Sequence, residues 1–456
     1  MKAFVAAVLV AFLVAPALAQ DDAKGETVTL GGETYVVVPD EKMRALGFEF
    51  PDVPAEENAA TDYLKAFEVY WEPKEGPVHK ALRDVLGDSR WSGDAGPLIK
   101  QYVEKNEKTL AFLEQAAAKP ACHFPFLVSG SWSPDDDVPP LVGFLLPCLG
   151  RTRALARFLV VVGKVREFEG RHAEALHAYL LIFPLAEGVP REQFLIGGLV
   201  SIACDAIGIG AIEQCLVRRE LDDQTLAWAQ KRVHELSKQR PSFAVAMRND
   251  RILSTDMIEW MIKSAIRNPG GIESWVGEQG AWAMLRNQFF FRTEKGHELL
   301  RRDIREFWDK AEQRFELPLP EYLRTAAEFE AETLRAMAPG SIVRGLVPVF
   351  GGRVRLSYGR DELRWVVLDV EFALARYKAR HGVYPVTLNE LWPFMLTEGT
   401  DPFSGEPLHY RREADGSFTI WSIGENLVDD GGKVEAGKRW QQDDYVWNSR
   451  LLRVEE

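Results

Sequence analysis

The stretch from residue 61 to about residue 340 places apolar side chains at helical spacing, punctuated by Gly and Pro, and offers almost no β-branched alternation of the kind a strand needs. A chain of 456 residues built around such a stretch is expected to be mainly α, an irregular helical array. Within it, Arg153 to Phe168 reads as one helix, Glu169-Gly170-Arg171 as a turn and His172 to Leu185 as the next helix, an αα-hairpin. The segment from Glu169 to Ala186 weakly resembles the second helix of a tetratricopeptide repeat, but no period of 34 residues recurs. Leu141 to Gly150 and Phe194 to Leu216 are apolar enough to suggest membrane spans. Pro147 and Arg151 interrupt the first and Asp205, Glu213 and Gln214 the second, so both read as buried helices.

The flanks differ from this body. Lys2, an apolar run from Ala3 to Pro16 and Ala17-Leu18-Ala19 before Gln20 form a secretory signal, cleaved after residue 19 and too short to span a bilayer. Export to the periplasm or beyond is expected, with no transmembrane span after cleavage. In that compartment Cys122, Cys148, Cys204 and Cys215 could pair; on one helix Cys204 and Cys215 lie about 16 Å apart, which favours a Cys122–Cys148 bridge. The equally weighted reading is four small buried hydrophobes. None has Cys-x-x-Cys spacing. Residues 20–60 supply a β-hairpin, Thr27–Leu30 and Thr34–Val38 about Gly31-Gly32, and a Pro-containing linker, Phe50 to Pro54.

After a linker at 341–360, an amphipathic helix is expected from near Asp361, with Leu363, Val366, Val367, Val370, Ala373, Leu374 and Tyr377 on its apolar face. Gly382 caps it and Tyr384-Pro385 stops it. A short helix at Leu388–Phe394 and strands at Leu408–Arg411 and Phe418–Ser422 complete a small α+β domain over 361–456, with Ala414-Asp415-Gly416 as the hairpin turn.

The ordered set Gly382, Tyr384, Pro385, Asp401, Pro402, Gly405, Pro407, Ser422 and Gly424 resembles the globular part of the major (type G) pseudopilins of type II secretion, over about 95 residues. Pseudopilins carry their assembly helix at the extreme N-terminus; here the matching helix is internal, polar on one face and preceded by over 300 residues, so entry into a pilus is not expected. The layout as a whole resembles a set of uncharacterised exported proteins common in planctomycete-type bacteria, which implies an architecture and no activity. The pseudopilin likeness implies Ca2+ in the loop after the Ser-x-Gly turn, where Asn426, Asp429, Asp430, Asp443 and Asp444 offer oxygens and Gly431-Gly432 could wrap the ion. The competing reading is a solvated acidic loop whose Asp side chains cap turns.

Catalytic signatures are scarce. His297-Glu298 and His234-Glu235 open like zincin motifs, but Arg301 and Lys238 stand where the second His must lie. His172 and His177 fall at different helix angles, Asp135-Asp136-Asp137 lies between prolines as a solvated loop, and no Gly-x-Ser-x-Gly elbow or phosphate loop occurs. Lys plus Arg total 55 against 68 for Asp plus Glu, so a nucleic-acid partner is not expected. Thirteen Trp leave room for aromatic recognition, with Trp71, Trp91, Trp132, Trp260, Trp275, Trp282 and Trp308 spread through the helical part. These features suggest a non-enzymatic binding or scaffolding protein of the cell envelope that holds a protein or glycan. The alternative is a secreted polysaccharide hydrolase with paired carboxylates in a Trp-lined cleft.

Overall fold

Two β-branched runs with Gly32 at φ 86° between them close the N-terminal hairpin, β1 (Thr27–Leu30) with β2 (Glu33–Val38). The computed structural model describes residues 26–30, 32–87, 96–129, 144–145, 148–188, 194–240, 243–267, 289–347, 352–433 and 443–450. The expected hairpin is present but does not stand alone. β3 (Phe126–Ser129) and β4 (Phe144–Leu145), from a region read as helical, extend it to an antiparallel sheet in the order β1-β2-β3-β4. Phe126-Leu127-Val128 is too short a run to announce a strand by period, and its partner lies 90 residues away.

The remaining elements run α1 (Asp40–Ala45), α2 (Ala60–Val69), α3 (Gly76–Gly87), α4 (Gly96–Lys105), α5 (Glu107–Ala117), α6 (Cys148–Phe168), α7 (His172–Leu180), α8 (Ile182–Gly188), α9 (Leu195–Arg218), α10 (Asp223–Ser237) and α11 (Phe243–Arg267). Then come α12 (Glu294–Glu312), α13 (Leu319–Arg324), α14 (Ala326–Ala336), α15 (Val354–His381), and an antiparallel sheet β5 (His409–Arg412), β6 (Phe418–Ser422), β7 (Tyr445–Asn448). The fold is mainly α with small antiparallel sheets. α6 and α7 form the expected hairpin, turning at Gly170 (φ 76°). Their contact is close: a Cβ on Gly163 would stand 2.1 Å from the Tyr179 ring.

α9 is long and apolar enough to cross a membrane, yet it packs against α6, α8 and α15 and buries Asp205 and Glu213. The cysteines correct the bridge expectation, because all four thiols are free. Cys122 Sγ faces the Gly188 carbonyl at 3.8 Å, while Cys148 opens α6 in the main core. Burial pushes the thiols of Cys122, Cys148 and Cys204 up to about 12, so they remain protonated small hydrophobes.

The largest departure concerns α15. It begins at Val354 rather than near Asp361, so it occupies part of the expected linker, and at 28 residues it is about 42 Å long. It is not polar on one face: Arg355, Asp361, Asp369 and Glu371 are buried along with its apolar positions. Its residues join three hydrophobic clusters. Val354 and Tyr358 meet the cluster of α11, α12 and α14; Trp365, Leu368 and Phe372 meet the core of α2 to α10; Leu363, Val367, Val370, Ala373 and Leu374 support the β5-β6-β7 sheet. A helix buried all round needs apolar neighbours on every side, and α15 has them. Its end is as expected, with Gly382 at φ 78°.

Candidate functional site

Asp401, Ser422 and Gly424 converge. Asp401, fully buried, accepts from the N–H groups of Phe403 and Ile423 and from Ser422 Oγ at 2.9 Å, and the Gly424 N–H donates to Ser422 Oγ. This ties the Asp-Pro loop to the end of β6. A side chain on Gly424 (φ 65°) would stand 2.2 Å from the Asp443 carbonyl, which fixes a glycine at the turn.

Beyond that turn the acidic loop folds over Trp421. Asp429 accepts from Trp421 Nε1 at 3.0 Å and from the Gly431 N–H; His409 stacks on the indole at 5.1 Å, and Gly432 packs against it. Asp444, buried at the start of β7, accepts from the N–H groups of Asp430 and Gly432. Asn426 donates to Asp430 Oδ2 and accepts from the Val428 N–H, while Asp443 is exposed. The structure therefore gathers Asn426, Asp429, Asp430 and Asp444 on one loop and spends much of their acceptor capacity on N–H donors, in the manner of turn-capping Asp residues. Among the described residues no group of three or more His, Cys, Asp or Glu is disposed to hold a metal ion.

A second polar constellation was not legible in the sequence. Arg240, at the end of the α10–α11 connection, pairs with Asp361 of α15, lies 3.7 Å from Asp205 of α9 and 3.9 Å from Glu187 of α8, and sits over the Trp365 ring. Asp205 and Asp361 have no solvent exposure, so the guanidinium is what makes their burial tolerable. Nearby, Gln230 Nε2 donates to Asp369 Oδ1 at 2.7 Å and to the Phe394 carbonyl, and Arg376 donates to Gln230 Oε1 and Asp223. Asp369 accepts from the N–H groups of Leu396 and Thr397, and Trp447 Nε1 donates to Glu213 of α9. Each of these groups binds the C-terminal module to the helical body. The pairs Arg240–Asp361, Gln230–Asp369, Arg376–Asp223 and Trp447–Glu213 are each separated by more than 100 residues, so no local pattern reveals them.

The other candidates resolve simply. His297 hydrogen bonds to the Phe291 carbonyl and Arg301 pairs with Glu259, so this His-Glu pair is structural. Trp308 is fully buried and donates to Ser254, and Lys105 covers Trp71. Asp135 to Asp137, Trp91, Trp132, Trp275 and Trp282 lie outside the described residues. The exposed indoles among those described are instead Trp228 and Trp392, at 46% and 59%. Trp228 borders a cavity of about 150 Å³ between α5, α7, α8 and α10, open to solvent. Trp392 is one of several exposed apolar residues in the segment after α15, with Val383, Val386 and Leu396. Neither was singled out from sequence, because an isolated Trp on a helix or turn carries no mark of exposure.

Comparison with protein-family models, with curated proteins and with solved structures finds no match at a significant level.

Proposed function

We propose that the chain is an exported, non-enzymatic binding or scaffolding protein of the cell envelope, whose helical body holds a protein or glycan and whose pseudopilin-like module adds a rigid docking surface. The observation that supports this reading is the sharing of α15: one helix serves the body cores and the C-terminal core, so the segment of Val383, Val386, Trp392 and Leu396 is carried on a firm base. Large apolar side chains left exposed after α15 are a feature of interaction surfaces. Calcium enters the proposal only at Asp429, Asp430 and Asp444, which would have to exchange N–H donors for the ion; melting of the mature chain that is the same with calcium and with a chelator removes calcium from the reading.

The test is a pull-down by residues 20–456 from envelope extract of the source organism, run beside Val386→Asp and Trp392→Ser variants. A defined component retained by the native chain and lost by the variants supports the proposal. Nothing retained, or equal retention by all, contradicts it.

A further inference from the structure

We infer that the cavity at Trp228 is a binding site for one neutral pyranose ring, the terminal or branching sugar of a glycan; this rests on the binding reading above and names its ligand class. Four helices converge on the cavity. α5 contributes Glu114, α7 His177, α8 Pro184 and α10 Trp228 and Arg232, with Leu181 beneath. The volume of about 150 Å³ matches cavities that hold a single six-membered ring and is too small for a nucleotide or a folded peptide.

The chemistry of the lining narrows the class. Trp228 is 46% exposed and stacks loosely on His177, with ring centroids 6.1 Å apart, which leaves apolar indole surface facing water. Such a surface suits the C–H face of a sugar, which is apolar in the middle and polar at its edge. Glu114 and Arg232 supply an acceptor and a fork of donors, and they do not pair with each other. Glu114 lies 3.9 Å from Arg166 and Arg232 3.5 Å from Glu235, so both heads have capacity for a ligand. An anion would meet Glu114 and a cation would meet Arg232, so a neutral polyhydroxyl ligand is favoured over either. An apolar ring alone would desolvate both charges without replacing their hydrogen bonds. Partial desolvation holds the His177 imidazole below its usual range, with Arg166 and Arg232 adding to the shift and Glu114 opposing it. A neutral imidazole can both donate to and accept from hydroxyls.

The experiment is ligand-observed NMR and calorimetry on the mature chain with methyl hexopyranosides, N-acetylhexosamines and their short oligomers, beside acidic sugars and free amino acids. The expected result is binding of a neutral sugar that weakens about tenfold or more in Trp228→Ala and several-fold in Glu114→Gln and Arg232→Gln, as expected when a stacking platform or a charge-assisted hydrogen bond is lost. These side chains are surface-placed, and unchanged melting of the variants separates lost binding from lost folding. No binding of any neutral sugar, binding indifferent to Trp228→Ala, or binding confined to acidic sugars or amino acids overturns the inference. If sugars fail while the pull-down still retains a partner through the segment after α15, the sugar site falls and the binding proposal stands.

Discussion

The acidic residues at 426–433 and 443–444 and the buried face of α15 both collect carboxylates, and they satisfy them in opposite ways. In the loop, Asp429 and Asp444 take N–H donors from residues no more than 14 positions away along the chain, and the result is a local turn structure over Trp421. On α15, Asp361 takes Arg240 and Asp369 takes Gln230, both more than 100 positions away, and the result is a weld between the module and the helical body. The contrast teaches that a charged residue on a periodic helix does not establish a solvated face. Local N–H donors satisfy the loop carboxylates, the buried Asp444 among them, whereas the carboxylates of α15 are buried on donors brought from distant helices.

The sharpest way to break the comparison is to remove the distant cation. Arg240→Met removes the guanidinium that Asp361 and Asp205 share and is expected to destabilise the chain by about 3–5 kcal/mol in guanidinium denaturation. Adding Asp205→Asn and Asp361→Asn should recover much of that loss, since neutral amides of the same size carry a smaller desolvation penalty. A triple variant no better than the single one would show that the guanidinium matters for its packing over Trp365 rather than its charge.

Asp250 is the intermediate case, a buried carboxylate that accepts from the Leu195 N–H at the start of α9. Desolvation pushes its pKa up to about 7, with the Leu195 N–H opposing. The native state therefore holds a proton that the unfolded chain releases above about pH 4, and stability should fall as pH rises from about 4 to 7, by on the order of 4 kcal/mol, then level off. Asp250→Asn keeps the acceptor and should flatten that slope in denaturation midpoints measured across the window. An unchanged slope would assign the pH dependence elsewhere.

Much of this architecture was legible because it is periodic or punctuated. The αα-hairpin at Gly170, the Gly382 cap and the β5–β6 hairpin about Gly416 fall where spacing and glycine placed them. What was hidden is non-local: β3 pairing with β2, and the polar positions of α15 that read as a water-facing stripe. In the candidate sites, Asp429 and Asp444 were visible as carboxylates, but their commitment to backbone N–H groups was not. Trp228 was invisible as a site residue, since its exposure follows from how four helices fail to close over it.

Smaller effects sharpen the contrast further. Asp444→Ala leaves the N–H groups of Asp430 and Gly432 without their acceptor and should cost about 1–2 kcal/mol, felt locally as faster amide exchange in the loop while α9 keeps its protection. Equal loss of protection in α9 would mean the loop is not local after all. Asp223→Asn weakens a half-buried bridge to Arg376 and Arg380 at the outer edge of the weld; a loss of about 1 kcal/mol that shrinks in high salt is expected.

The claim that α15 makes body and module one unit is tested most directly by native-state hydrogen exchange on the chain. Slowest-exchanging amides of β6 and of α9 should report the same opening free energy and respond together to low denaturant, because neither core survives loss of the shared helix. If β6 opens at a markedly lower free energy while α9 stays protected, the C-terminal module is an independent domain and the weld is not what holds it.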